Sequence, residues 1–168
     1  MDMKENQFLI RKMRLQDMPH LMRLKDEERW NQTEEDWRFL IQGELNASLV
    51  LEHEGQVIGS ITGLNYANQV LWIGMMLIDK DFRGKGFSKL LLNTIINQSK
   101  HIKSIKLDAT PAGLPVYKTL GFSAEAKLWR YINSKAKQKK VSTQLNLRSA
   151  TPYDIPAIVQ IDKELFGA

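Results

Sequence analysis

The sequence contains no cysteine, which excludes disulfide bonds, thiolate nucleophiles and thiolate metal ligands. Its three histidines, His20, His53 and His101, are scattered without the spacing of metal ligands, so we expect no metal cofactor. No apolar run approaches the roughly 20 residues that a membrane-spanning helix needs, and residues 1–6 are too polar to begin a secretory signal. These absences predict a cytoplasmic protein without a membrane partner.

Positive charge is concentrated in one stretch instead of being spread over the chain. The formal net charge is +5, but four lysines fall within residues 135–140, and the rest of the chain is nearly neutral. No aromatic side chain lies among these lysines, as a stacking platform for nucleic acid would require. The lysines therefore favour a solvated linker and argue against a nucleic-acid partner. A small polyanion-binding domain is the alternative that rests on them alone.

The 168 residues, 43% of them apolar and 26% charged, have room for one complete domain and little more. Hydrophobic periodicity predicts the element order β-α-α-β-β-β-α-β-α-β, which indicates an α+β fold or a three-layer αβα arrangement. The run Val70–Ile78 is apolar at nearly every position and predicts a central strand covered on both faces. Residues 33–36 predict a capping box with Asp in place of Glu, and Phe122 to Ile132 is predicted to return as a final strand or hairpin arm.

A loop with two glycines among basic residues separates that apolar strand from an amphipathic helix. The first amides of a helix lack carbonyl partners and carry the positive end of its dipole, so they attract anions. Gly84 and Gly86 permit backbone dihedrals that a side chain forbids, and Arg83, Lys85 and Lys89 add positive charge. The loop predicts a phosphate site, although its spacing matches neither the dinucleotide fingerprint nor the P-loop. A glycine-containing turn with solvated basic residues is the alternative.

The run Arg-Gly-Lys-Gly-Phe-Ser at residues 83–88 resembles the acetyl-CoA signature of the GNAT superfamily of acyl-CoA N-acyltransferases. That signature is usually written Arg/Gln-x-x-Gly-x-Gly/Ala, and Arg83, Gly86 and Ser88 occupy its positions, with Ser88 departing from the usual Gly or Ala. The resemblance implies the GNAT fold, a mixed and mostly antiparallel sheet with a splayed central strand pair.

Residues 107–122 resemble the second motif of the superfamily, in which a Tyr lies four residues before a Gly-Phe pair. Tyr117 and the pair Gly121-Phe122 fit this motif, whereas Asp108 stands where relatives often have Asn to bind the pantetheine arm. The resemblance implies that Tyr117 is the general acid, because a phenol with a pKa of about 10 can protonate the departing thiolate. Packing against coenzyme A or the core is the other interpretation of Tyr117.

The resemblance also implies the reaction. The chain would be an N-acetyltransferase that moves an acetyl group from acetyl-CoA, its co-substrate, to a primary amine by direct attack in a ternary complex. The acceptor would be a small-molecule amine or a peptide amine. The coenzyme-binding residues that follow from the resemblance are Met76, Leu77, Ile78, Arg83, Gly84, Lys85, Gly86, Phe87, Ser88 and Lys89. The alternative is a non-catalytic CoA-binding or interaction module with the same fold.

The identity of the general base stays open in the sequence. Four carboxylates at the junction of the first two helices, Glu27, Glu28, Glu34 and Glu35, have the charge to attract a cationic amine. They also fit as solvated charges at helix ends, and a water chain is a third possibility. None of the four is chosen as the base.

An internal repeat indicates a second module. Residues 147–161 restate residues 10–24, so that Arg11, Asp17 and Pro19 recur in register as Arg148, Asp154 and Pro156. We therefore expect a GNAT-like domain over residues 1–132, a basic linker over 133–144 and the truncated start of a second GNAT-like module over 145–168. The chain then resembles the N-terminal module of a bacterial subgroup with two such modules in tandem.

The apolar residues of that last segment require a partner if the repeat is real. They are expected to bury themselves on the first domain or on another chain, as a homodimer or against a second GNAT-like module. The residues concerned are Ile155, Ile158, Val159, Ile161, Leu165 and Phe166.

Overall fold

The computed structural model of the chain describes residues 8–129, 131–133 and 147–166. The chain divides between Gly121 and Phe122 into two compact units, called the first and the second unit below. Among the residues described, no helix is long and apolar enough to cross a bilayer.

The first unit contains a five-stranded sheet in the order β1-β2-β3-β4-β5. The strands are β1 (Phe8–Lys12), β2 (Ala47–His53), β3 (Gln56–Tyr66), β4 (Val70–Ile78) and β5 (Ser104–Leu107). The first four pair antiparallel, whereas β5 runs parallel to β4. The turn between β2 and β3 has positive φ at both Glu54 (50°) and Gly55 (80°), which suits the right-handed twist of a hairpin.

The helices are α1 (Met18–Glu27), α2 (Glu34–Gln42), α3 (Phe87–Gln98), α4 (Leu114–Thr119) and, in the second unit, α5 (Ile155–Phe166). The predicted capping box begins α2: the Thr33 hydroxyl accepts from the Asp36 amide at 3.3 Å, and the Asp36 carboxylate accepts from the Thr33 amide at 2.7 Å. Pro19 lies in the first turn of α1, where its missing N–H costs nothing.

The sheet is covered on both faces. Leu21 and Leu24 of α1 pack in one cluster with Trp37 of α2 and Val50 of β2. On the opposite face, Ile95 of α3 lies so close to Gly63 of β3 that an added Cβ atom would come within 3.1 Å of it. Helices on either side of a mixed sheet confirm the predicted α+β fold with αβα layers.

The predicted final strand over Phe122 to Ile132 is wrong for the residues that the structure describes there. Residues 122–129 and 131–132 add no strand to the sheet, and the large side chains of Leu128, Trp129, Tyr131 and Ile132 are exposed. A strand is stable only when its backbone groups pair with a neighbour, and apolar residues do not themselves supply that neighbour.

The described residues of the second unit form one helix after a short turn. Pro152–Asp154 makes a single 3-10 turn, and α5 follows it directly. The five described apolar side chains that were expected to be buried, those of Ile155, Ile158, Val159, Ile161 and Leu165, are each more than half exposed. Their burial on the first domain or on another chain stays a prediction. The side chain of Phe166 and the predicted linker beyond residue 133 lie outside the described residues.

Candidate functional site

The start of α3 forms the predicted anion-binding mouth. Gly86 is the N-cap residue and has a φ of 83°, and Gly84 has a φ of 74°, both in the left-handed region. An added Cβ atom at either position would meet nothing within 4 Å, so dihedral freedom explains these glycines better than space does. No side chain caps the helix. The amides of its first turn are therefore left for an anion.

Two cations of the loop, Arg83 and Lys85, are held by the protein itself. Arg83 Nε donates to the carbonyl of Ile78 at 2.9 Å, and its Nη2 donates to the carboxylate of Glu28. Lys85 Nζ donates to the carbonyl of Asp81 at 3.2 Å and lies 4.9 Å from the centroid of the Phe82 ring. Arg83 and Lys85 therefore shape the loop, and direct coenzyme contacts from them stay a prediction.

Asp79 fixes the other end of the same loop. Its carboxylate accepts from the Asp81 amide at 3.1 Å and from Arg23 of α1 at 2.6 Å, while its own amide donates to the Ile58 carbonyl at 2.8 Å. Burial favours the neutral acid, but the hydrogen bonds and charge of Arg23 outweigh it, so the pKa of Asp79 lies below its usual value. One ion pair thus ties the loop to Arg23 of α1, and a second ties it to Glu28, the residue that follows α1.

The backbone of β4 is irregular beside this loop. Met75 has a φ of 47°, and the β3–β4 register shifts between Ser60 and Thr62. The carbonyl of Met75 accepts from the Ser60 hydroxyl at 2.8 Å. Such a bulge re-aims the backbone, and bulges are frequent beside active sites.

The predicted splayed strand pair is confirmed. Pairing between β4 and β5 stops at Ile73 opposite Leu107, although β4 continues to Ile78. The edge of β4 from Met75 to Ile78, which contains three predicted coenzyme-binding residues, therefore has no β5 partner. It is open to an extended ligand, as a sheet edge is to an added strand.

Tyr117 lies on α4, which follows β5 and its splayed edge. Its ring packs over Gly113, where an added Cβ atom would come within 2.9 Å of a ring carbon. Burial raises the pKa of Tyr117 above its usual value. The phenol is therefore protonated at neutral pH, as a general acid must be before it acts.

Most of the candidate carboxylates already have a cationic partner. Glu27 pairs with Arg23 at 2.6 Å, Glu28 with Arg83, and Glu34 with Arg38 at 3.3 Å. Each of these three carboxylates is already engaged in an ion pair within the protein. The structure therefore offers no reason to choose any of these three as the general base.

Sequence reasoning missed a cleft of about 390 Å³ on the α2 side of the bulge. It is lined by Asn31, Gln32, Asp36, Phe39, Leu40, Leu64 and Met75. These residues come from a loop, a helix and two strands, so no motif in the sequence brings them together.

A larger groove of about 520 Å³ lies away from all of these groups. Its lining includes Ile10 and Lys12 of β1 and Ser99 and Ile102 at the carboxyl end of α3. No residue predicted for the coenzyme or for acid catalysis lines it, so volume alone does not identify the site. The described part of the chain also holds no group of three or more His, Asp or Glu residues arranged to bind a metal.

Comparison with known proteins agrees with this geometry. Residues 10–122 match the model of the Acetyltransferase (GNAT) family, and the chain therefore belongs to that family. A curated relative from Bacillus subtilis (strain 168), the uncharacterized N-acetyltransferase YitH, is 26% identical over 113 residues. The match covers 67% of this chain but only 40% of that relative, so the chain spans less than half of its length.

Solved structures show the same fold. The aminoglycoside N-acetyltransferase AAC(6')-Iy in complex with CoA superimposes with a TM-score of 0.63 at 18% identity, over 80% of this chain and 99% of the other. Glucosamine-6-phosphate N-acetyltransferase from Arabidopsis thaliana gives a TM-score of 0.62 at 20% identity, over 76% and 99% of the two chains. At such low identity the likeness concerns the fold alone.

Proposed function

We propose that the first unit transfers an acetyl group from acetyl-CoA to a primary amine by direct attack in a ternary complex. The observation that carries this proposal is the uncapped start of α3 beside the open edge of β4, within a GNAT fold. A similar fold, that of AAC(6')-Iy, has been solved with CoA bound. We also propose a cytoplasmic location, which rests on the sequence alone.

The coenzyme would lie along these two features. Its diphosphate would accept hydrogen bonds from the amides between Gly84 and Lys89, where the helix dipole favours negative charge. Its pantetheine arm would pair with the backbone of β4 from Met76 to Ile78 like an added strand. The Ile78 carbonyl already accepts from Arg83 but has a second lone pair free.

The chemical step would follow from positioning. The neutral amine nitrogen attacks the thioester carbon, and the new C–N bond forms. The C–S bond breaks with its electron pair leaving on sulfur, and the nitrogen gives up one proton to water. An amide near Met76 would stabilise the negative oxygen of the intermediate, and Tyr117 would donate its proton to the leaving thiolate. Because the chain has no cysteine for an acyl-cysteine intermediate, both substrates must be bound together.

Two measurements test this function. Calorimetry with CoA is expected to show binding, and thiol release from acetyl-CoA with a panel of amines and peptides is expected to show turnover. In double-reciprocal plots of rate against acetyl-CoA concentration, the lines for different amine concentrations should intersect, because parallel lines indicate an acyl-enzyme. Binding of CoA without thiol release from acetyl-CoA in the presence of any of these acceptors would support the alternative, a non-catalytic CoA-binding or interaction module.

Tyr117→Phe tests the proposed acid. We expect kcat to fall about 100-fold, the lower end of what general acid catalysis contributes, while CoA binding by calorimetry stays the same. Unchanged turnover would leave Tyr117 only a packing role.

We further propose that residues 145–168 begin a second GNAT-like module. The support is local: the turn before α5 repeats the turn before α1 in its hydrogen bonds. A homodimer or a second module remains the proposed partner for the exposed face of α5.

A further inference from the structure

The 390 Å³ cleft beside the bulge has the position of an acceptor site. Met75 belongs both to the cleft lining and to the bulge of β4. If the pantetheine arm lies along Met76 to Ile78, its thioester end reaches the strand next to Met75. A nucleophile held in the cleft would then lie beside the thioester carbon.

One wall of the cleft is apolar. Leu40 of α2, Leu64 of β3 and Met75 of β4 form it together with Phe39, whose side chain is 63% exposed. An aromatic ring and three aliphatic side chains favour an alkyl or aromatic group on the ligand. The volume is near the lower limit of ligand pockets, about 300 Å³, so the ligand must be compact.

The other wall carries hydrogen-bond acceptors without partners. The Oε1 atom of Gln32 is buried and has no hydrogen-bond partner among the described residues. A buried acceptor without a donor is costly, and a ligand N–H would satisfy it. The Oδ2 atom of Asp36 accepts from the amide and hydroxyl of Thr33 at 2.7 and 3.0 Å, while its Oδ1 accepts from none of the residues described.

The charge of the lining selects against anionic ligands. None of its seven residues is basic, and Asp36 is the one acidic residue among them. Hydrogen bonds from the backbone and hydroxyl of Thr33 lower the pKa of Asp36, so its carboxylate is ionised at neutral pH. A phosphate or carboxylate on the ligand would find no cation here and would be repelled, whereas an ammonium group would be attracted.

We propose that the acceptor is a compact primary amine on an alkyl or aromatic group, without phosphate or carboxylate. In this proposal Gln32 is a specificity-determining residue, whose Oε1 accepts a hydrogen bond from an N–H group of the amine. The proposal rests on the acetyl transfer proposed above and narrows its substrate class. The proposed acceptor class excludes glucosamine 6-phosphate, because that amine carries a phosphate.

Matched pairs of amines test the class with the full chain. 2-Phenylethylamine and phenylalanine differ by one carboxylate, and glucosamine and glucosamine 6-phosphate differ by one phosphate. In thiol-release assays, kcat/KM is expected to be at least tenfold higher for 2-phenylethylamine than for phenylalanine, and higher for glucosamine than for its phosphate. Equal or reversed rates within both pairs would overturn the proposal while leaving acetyl transfer intact. If neither these amines nor any other amine gave thiol release, both the acceptor class and the proposed acetyl transfer would be overturned.

Variants at the cleft test the residue. Gln32→Leu is expected to raise the KM for 2-phenylethylamine about tenfold, with the KM for acetyl-CoA and the melting temperature unchanged, and Gln32→Asn is expected to recover part of the loss. Gln42→Leu, the same change at an exposed residue at the end of α2 that does not line the cleft, is the matched control and should change neither KM. Asn31→Lys adds a cation and should shift preference toward phenylalanine. An unchanged acceptor KM in Gln32→Leu would contradict the role of Gln32.

Discussion

Residues 11–24 and 148–161 have the same local structure in different surroundings. In the first stretch, Arg11 Nη1 and Nη2 each donate to the Asp17 carboxylate at 2.8 Å, and the amide three residues before Asp17 donates to its Oδ2 at 2.8 Å. In the second, Arg148 donates through the same two nitrogens to Asp154, at 2.7 Å from Nη1, and the amide three residues before Asp154 donates to its Oδ2 at 2.7 Å.

The helices that follow these turns differ in how far their apolar side chains are buried. Met18, Leu21 and Leu24 of α1 are 7%, 0% and 2% exposed, whereas their counterparts in α5, Ile155, Ile158 and Ile161, are 55%, 53% and 57% exposed. The comparison teaches that a short sequence determines the turn and the helix, while burial depends on a sheet supplied from elsewhere. The following pairs of variants exploit that difference, beginning with the largest effect.

The largest effect is expected from a carboxylate placed on each apolar face. Leu21→Asp buries an unpaired charge in the core and should destabilise the first unit by more than about 4 kcal/mol. Ile158→Asp adds a charge at an exposed position and should change the free energy of unfolding by less than about 0.5 kcal/mol. Urea denaturation followed by circular dichroism measures both. A similar loss in the two variants would mean that α5 is buried in solution.

The next effect comes from breaking each Arg–Asp pair. Asp17→Asn removes the partner of a buried guanidinium and should cost about 2–3 kcal/mol, below the usual 3–5 kcal/mol because Arg11 keeps Glu52 at 2.7 Å. Asp154→Asn removes an exposed pair, and no change in urea midpoint is expected. If Asp154→Asn lowered the midpoint as much as Asp17→Asn, the two turns would be equally buried.

The pH dependence of stability gives a smaller and separable effect. Burial raises the pKa of Asp17, but the hydrogen bonds from Arg11 and the Arg14 amide prevail, so the pKa lies below its usual value of 3.8. The folded state therefore binds this proton less readily than the unfolded chain, and the stabilisation is complete above about pH 4 and lost as the pH falls. Urea midpoints between pH 7 and pH 2.5 should fall more steeply for the wild type than for Asp17→Asn. Parallel curves would contradict the shift.

The smallest effect concerns the proline shared by the two helices. Pro19→Ala should lower the stability of the first unit by about 0.5–1 kcal/mol, because proline restricts the unfolded chain. Pro156→Ala should leave the urea midpoint unchanged, since the described apolar side chains of α5 are each more than half exposed. A midpoint shift in Pro156→Ala equal to that in Pro19→Ala would indicate that both helices fold cooperatively with a core.

The parts of the site that depend on nearby residues could be predicted from the sequence. The glycines at 84 and 86, the start of α3 and the Thr33–Asp36 capping box each follow from residues within a few positions of one another, and all are present. The splayed strand pair was predicted through resemblance, because the two motifs follow β4 and β5 in the sequence.

The parts that depend on distant pairing could not be predicted. The bulge at Met75 arises from its register against Ser60, and Arg83 reaches Glu28 across 55 residues of chain. The cleft around Gln32 combines four separate elements, and whether residues after Phe122 form a strand depends on a pairing partner that no local pattern reports. In each case the deciding contact is far away in sequence.

The hydrogen bonds of the loop at residues 79–85 have a consequence for how a ligand binds. Asp79, Arg83 and Lys85 all bond to backbone atoms in or beside the loop, so its shape is set when the chain folds. The conformational entropy of the loop is then lost during folding and not during association. A coenzyme would bind to a preorganised loop, and its affinity would depend on how well it fits this loop and little on any closing motion.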